Sequence, residues 1–288
     1  RKLSLRDKGS KYLPGFAPAS LKKKERALKE KVTVEQLLLH TSGLPSWRPL
    51  FESCSSYKAL LKIILATPLE TAPGTSYRYS DLGFILLGEV VAKAGGKPLA
   101  TLEKKLVFDP LGMRETLRNP AAALRKKIAP TELDEETKKY IHGKVHDENA
   151  RAGDGITGHA GLFSTTADLE LLCRELLLAL KGKSKKLNSG IIRNFTGRKD
   201  SPKGSSRALG WDTPSEKSSA GDLAGKKSFG HTGFTGTSIW IDPELDLYMI
   251  LLSNRVHPSR KNRKISEVRR AFADAVITAV RKSEKKVR

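Results

Sequence analysis

Cysteine is nearly missing from this chain: only Cys54 and Cys173 occur in 288 residues. One disulfide is the most they could form. Far apart and in ordinary contexts, they are expected to be two inert, partly buried thiols. Long apolar runs are also missing. None approaches the roughly 20 residues needed to cross a bilayer as a helix, so no transmembrane segment is expected. No internal repeat is present, which removes solenoid architectures. Acidic residues are in short supply, 31 against 53 Lys plus Arg, for a formal net charge of +22.

What remains is a chain long enough to bury a substantial core. Its apolar share of 38% and charged share of 29% place it in the soluble globular class. A charge this positive would draw the protein toward anionic polymers or surfaces. Nucleic acid is the obvious partner to test. The basic residues, however, lie in short runs: Lys22 to Lys24, Lys181 to Lys186, Arg260 to Lys264 and Arg281 to Arg288. None is interleaved with aromatics in the manner of a single-strand groove. Solvated faces are the expected role, and an anionic cell-envelope polymer is a better partner than nucleic acid.

The pattern along the chain reads as helices first and strands last. Thr33 and Gln36 have capping-box spacing, predicting a short helix over 33–40 that ends before Gly43. His40 at its end is expected to meet terminal carbonyls. Helical spacing predicts a second helix over 56–66 and a strongly apolar one over 80–94, closed by Gly95-Gly96. Others follow over 98–107 and 166–181, the latter capped by Thr165 with Asp168 in its first turn. Residues 118–163 are irregular and rich in Gly, Asp, Asn and His, which suggests a functional or mobile loop. Residues 197–227 are rich in Gly, Ser and Lys and are expected to be flexible. Residues 229–241 and 245–253 are β-rich and joined by Asp242-Pro243-Glu244, a hairpin signal. Ile265, Val268, Phe272, Val276 and Val280 recur at helical spacing, so the chain closes with an amphipathic helix. This order is α+β. One domain over 1–288 is expected, with a helical lobe over about 20–227 and a sheet hairpin plus C-terminal helix over 228–288.

Five stretches carry a family resemblance: Val32 to Pro45; Pro73 to Gly88, containing Tyr79-Ser80-Asp81; Pro110-Leu111-Gly112-Met113; Gly158 to Thr165; and His231-Thr232-Gly233 followed by Phe234. Together and in this order they resemble the serine β-lactamase and penicillin-binding-protein-like superfamily, in its class C, D,D-peptidase and esterase branch. The resemblance implies a β-lactamase/transpeptidase-like fold and acyl transfer on an amide, lactam or ester, with a small molecule or envelope peptide as substrate. It also suggests a periplasmic or extracellular location. Tyr79 would assist proton transfer. His231 and Thr232 would bind a substrate carboxylate or steer protons. Gly233 would let substrate backbone come close, and the Phe234 N–H would form half of an oxyanion hole. No cofactor is implied.

Two departures matter. Position 81 is Asp where the family pattern more often has Asn; an ionised Asp accepts hydrogen bonds but cannot donate one to a substrate carbonyl. The family's Ser-x-x-Lys nucleophile should precede the segment resembling Arg1 to Pro14. The first sheet strands and the nucleophile helix are therefore expected to be absent, and the chain to be catalytically incomplete. Ser20-Leu21-Lys22-Lys23, Ser55-Ser56-Tyr57-Lys58 and Ser283-Glu284-Lys285-Lys286 fit the spacing. In so lysine-rich a chain such matches are expected by chance. A non-enzymatic peptidoglycan- or partner-binding relative is the competing class, and a basic nucleic-acid binder the third. His142, His146, Asp147, Glu148 and His159 raise a metal site. Gly143 breaks the helix that would align the first two, so a loop bordering the cleft, without metal, is expected.

Overall fold

The computed structural model describes residues 2–287, with side chains described up to Ser283. Arg1, Arg288 and the side chains of Glu284, Lys285 and Lys286, which belong to motifs above, lie outside the described residues.

Among the described residues ten α-helices and five strands follow one another: α1 (Lys23–Lys29), α2 (Val34–Leu38), α3 (Tyr57–Ala66), α4 (Asp81–Gly95), α5 (Leu99–Glu103), α6 (Asp109–Leu111), β1 (Leu117–Arg118), α7 (Glu148–Ala152), β2 (Leu162–Phe163), α8 (Thr166–Leu180), α9 (Ser189–Thr196), β3 (Phe229–Thr232), β4 (Ser238–Asp242), β5 (Leu247–Leu251) and α10 (Ile265–Val287). Among the described residues no helix is long and apolar enough to cross a membrane.

The first core is helical. Leu37 of α2, Leu60 and Ile64 of α3, and Leu82, Ile85, Leu86 and Val90 of α4 pack into one cluster with Leu13 and Phe16. The capping box of α2 forms as predicted, Thr33 Oγ1 accepting from the Gln36 N–H while Gln36 Oε1 accepts from the Thr33 N–H. Lys29 is fully buried here. Its ammonium donates to the carbonyls of Ile64, Leu65 and Thr67 at 3.2, 2.7 and 2.5 Å, closing the C-terminal end of α3. Burial pushes its pKa down to about 8, so it is still charged at neutral pH. Lys29→Met is expected to leave those carbonyls unsatisfied and to cost about 2 kcal/mol in a urea-unfolding measurement.

The second core lies around the sheet, whose order is β3-β4-β5, all antiparallel. Side chains alternate faces along a strand. Phe229, Ile239, Ile241, Tyr248 and Ile250 pack with Cys173, Leu176 and Leu177 of α8. Trp240, Leu247 and Met249 pack with Ala273 and Ile277 of α10. The sheet is thus covered by α8 on one face and by the C-terminal helix on the other, and β3 lies at one side of the ladder, bridged at Gly230 by Asp212. Gly230 pairs with Trp240, and a Cβ at 230 would stand 2.6 Å from the indole.

Three expectations change. The β-rich run 229–241 is not one strand: it breaks at a turn over 233–237, where the Gly233 N–H donates to Thr237 O and the Gly236 N–H to Gly233 O. The result is three strands rather than a hairpin. Residues 118–163 are pinned at both ends by the β1–β2 ladder, Leu117 opposite Phe163. The stretch expected to be flexible carries buried Ala208, Leu209 and Ala220, and Asp212 bridges to Gly230 of the sheet. Both cysteines are free, as read.

Candidate active site

Helix α4 and strand β3 bring the two sequence motifs together. Ser80 caps α4: its Oγ accepts from the Gly83 N–H at 3.1 Å and donates to Pro45 O at 2.6 Å. This fixes Tyr79 just before the helix and Asp81 in its first turn. The Tyr79 and His231 rings stand 6.1 Å apart between centroids, so two residues 152 positions apart share one wall.

His40 lies beneath Tyr79 and corrects its expected role. Rather than meeting helix-end carbonyls, its Nδ1 accepts from the Ser80 N–H at 3.0 Å, and its own carbonyl accepts from the Arg78 N–H at 2.9 Å. Its φ of 57° turns the chain back after α2. The ring lies 4.3 Å from Tyr79 and 4.7 Å from Phe84. Burial, with Arg207 and His231 nearby, pushes its pKa down to about 3. It is a neutral brace under the Tyr79 segment.

Arg207 is the residue sequence reasoning missed. Its guanidinium sits 5.4 Å from the Tyr79 ring centre and 5.3 Å from that of Tyr77. One Nη lies 3.5 Å from His231 Nε2 and the other 3.8 Å from an Asp212 carboxylate oxygen. Its Nε is buried without a partner. No local signal marks it among the lysines and arginines of the 197–227 stretch.

The charge states follow from these neighbours. His231 Nδ1 is 2.9 Å from Thr232 O and is assigned as the donor, which leaves Nε2 with its lone pair toward Arg207. Burial and then Arg207 lower the His231 pKa, so the ring is neutral near pH 7. Tyr79 is 40% exposed. Its packed base and the nearby Asp81 push its hydroxyl up to about 12, with Arg207 opposing. It is a phenol at neutral pH, not a phenolate.

Beyond Thr232 the wall is backbone. A Cβ at Gly233 would lie 2.2 Å from Thr237 Oγ1, so a larger residue there would have to displace the Thr237 hydroxyl from inside the turn. Among the described residues no acceptor meets the Phe234 N–H. The Phe234 side chain is 59% exposed, with His146 stacked on it at 5.7 Å and the Arg255 guanidinium at 4.1 Å.

The histidine-rich loop is divided among separate partners. His142 Nε2 meets Ile128 O, and His146 Nε2 meets Glu132, which also binds Arg260; Glu148 binds Arg260 as well. Only Asp147 and His159 approach Asp81, with donor atoms of the three within 4.8 Å of one another. His159 bonds Asp147 at 2.9 Å and Thr157 at 3.0 Å. Burial opposes ionisation of Asp147, but His159 and the Ala150 N–H hold its pKa below the usual range. Asp81 is raised, by burial first, with His159 opposing and Asp147 adding to the rise. Among the described residues no donor meets the Asp81 carboxylate. These three residues are the donor set a cation could use.

Comparison with known proteins gives consistent results. A Salmonella schwarzengrund protein, provisionally named a D-alanyl-D-alanine carboxypeptidase, is 33% identical over 92% of this chain. The chain spans 66% of that relative's length. An octameric penicillin-binding protein homologue from Pyrococcus abyssi superposes with a TM-score of 0.67 at 21% identity, over 96% of this chain and 61% of the other. EstCE1, described as a hydrolase with promiscuous acyltransferase activity, superposes at 0.67 with 20% identity, over 95% of this chain and 78% of its own. The family description Beta-lactamase matches residues 1–273. With the fold, the paired motifs and this match in agreement, the chain belongs to the beta-lactamase family.

Proposed function

We propose that the Tyr79–His231 wall serves acyl transfer on an amide or ester of a peptide or small molecule. The observation that carries this reading is the convergence of Tyr79, Arg207 and His231 on one wall, with an unengaged N–H at Phe234 three residues along the chain from His231. A carbonyl placed against that N–H would have its developing oxyanion stabilised. Tyr79, being a neutral phenol, would relay a proton through its hydroxyl between an attacking hydroxyl and the leaving group. Neutral His231 would accept rather than bind an anion, so carboxylate recognition passes to Arg207 and the Thr232 hydroxyl. The Asp81 carboxylate would accept from a substrate N–H where asparagine would donate. The D-alanyl-D-alanine carboxypeptidase name of the Salmonella relative and the EstCE1 description both fit acyl transfer.

The nucleophile is assigned to none of the serines here. Ser20 and Ser55 are exposed in loops before α1 and α3, and Ser283 is exposed near the end of α10. A fluorophosphonate or fluorescent penicillin is therefore expected to leave no stable adduct on residues 1–288, whereas an acylated serine mapped by mass spectrometry would defeat this assignment. An acyl-D-alanyl-D-alanine peptide is expected to bind at this wall. Arg207→Gln or Thr232→Val should weaken that binding about tenfold. Unchanged binding in both variants would remove the wall from substrate recognition.

A further inference from the structure

Past Thr232 the cleft wall opens into a cavity of about 360 Å³ lined by Thr232, Phe234, Arg255, Arg263, Ser266 and Arg269, with no acidic residue among its lining. It lies at the N-terminal end of α10, a helix of 23 residues. The first N–H groups of a helix have no partner within it and carry partial positive charge. None of these arginines forms an ion pair among the described residues, although Glu132 acts on Arg255 from a distance and Glu267 stands in the first turn of α10. Arg255 donates to the carbonyls of Phe234, Arg260 and Asn262. Arg269 donates to the carbonyls of Gly233 and Thr237 at 2.6 and 2.8 Å. Arg269 is only 8% exposed, and its Nε has no hydrogen-bond partner. Arg263 is exposed at the rim. The neighbouring Arg260, by contrast, is matched by Glu132 and Glu148. A positive cavity has thus been left unfilled by the chain's own acids.

We propose that this cavity is a subsite for a phosphoryl group, carried as a phosphomonoester or phosphodiester. Arg255 and Arg269 already give N–H groups to carbonyls, but Arg263, the Thr232 and Ser266 hydroxyls and the helix N-terminus still offer more donors than one planar carboxylate can engage. A tetrahedral phosphoryl group can present oxygens to Arg263, the Ser266 hydroxyl and the helix N–H groups together. Its position next to Thr232 would place the phosphoryl group on the same ligand as the reacting carbonyl; that link rests on the acyl-transfer reading, but the anion site itself does not.

The test is calorimetric titration of the full chain with inorganic phosphate, dimethyl phosphate and acetate at physiological ionic strength, with no turnover involved. Saturable one-to-one phosphate binding is expected, about tenfold or more tighter than acetate. R263Q, an exposed change, should weaken it about tenfold, and S266A by less. K183Q, in a separate basic run, should not change it. Dimethyl phosphate binding as well as phosphate supports a polymer phosphodiester as the source; exclusion of the diester supports a phosphomonoester. Absence of saturable binding, acetate binding as tightly as phosphate, or equal losses in R263Q and K183Q would each overturn the proposal. None of these failures touches the acyl-transfer reading, which is tested by probe labelling and peptide binding.

Discussion

Gly158→Ala is expected to destabilise the protein by about 3 kcal/mol or more, lowering the unfolding midpoint by about 6–10 °C in a chain of this size. Gly158 does not have a left-handed backbone, so strain at φ is not the cause. The cause is contact. A Cβ there would stand 2.0 Å from Phe84 O, 2.8 Å from Gly88 N and 3.0 Å from Gly88 Cα. These are backbone atoms of α4, whose neighbouring Leu82, Ile85 and Leu86 are fully buried and cannot yield. The loop must therefore lift away, taking His159 from Asp81 and Asp147. Thermal unfolding of Gly158→Ala beside Gly15→Ala checks this. Gly15 has φ +79° but nothing within 4 Å of an added Cβ, so its change should cost about 1–2 kcal/mol, from backbone strain alone. Equal, small effects at both sites would show that α4 and the 157–160 loop are not in such close contact.

The same residues show what could be read in advance. Helix α4 was legible because its determinants are local: an apolar stripe and Gly95-Gly96 at its end. The His231-Thr232-Gly233 edge was legible as a triplet before a β-rich run. The break after it was harder to see, because β propensity continues through Ile239 and Trp240. The signal was Gly233 and Gly236 three apart, the latter at φ +122° and packed against Ser253 and Arg255. Arg207 had no local signal, and although His40, Asp81, Asp147 and His159 each stood out in the sequence, nothing local placed His40 under Tyr79 or brought Asp81 to Asp147 and His159. Their roles arise where α4, β3 and two loops meet, and a histidine that braces Tyr79 has the same sequence context as one that ends a helix. Burial decided between those roles, and burial is a property of the whole fold.

Acidification from pH 6.5 toward 4.5 is expected to cost about 2 kcal/mol of stability through His40 alone. The sign follows from its displaced pKa, about 3 in the folded chain against an ordinary 6.5. Between those values the unfolded chain binds a proton that the folded chain refuses, so stability falls as pH falls. His231, also lowered, adds in the same direction. The carboxylates held low, Asp7, Glu132 and Asp147, lose their contribution mainly below about pH 4, which leaves the upper window to histidine. His40→Asn isolates the effect: asparagine tolerates the left-handed φ of 57° and can still offer an acceptor to the Ser80 N–H. In denaturant titrations across this window the variant should lose most of the pH slope that the parent shows; an unchanged slope would remove His40 as its origin. Protonation at Nδ1 would abolish the acceptor that holds Ser80 and place a second cation near Arg207. The Arg78–Asp81 segment would then be released, so Tyr79 and Asp81 should lose their positions at the pH where His40 is forced to charge.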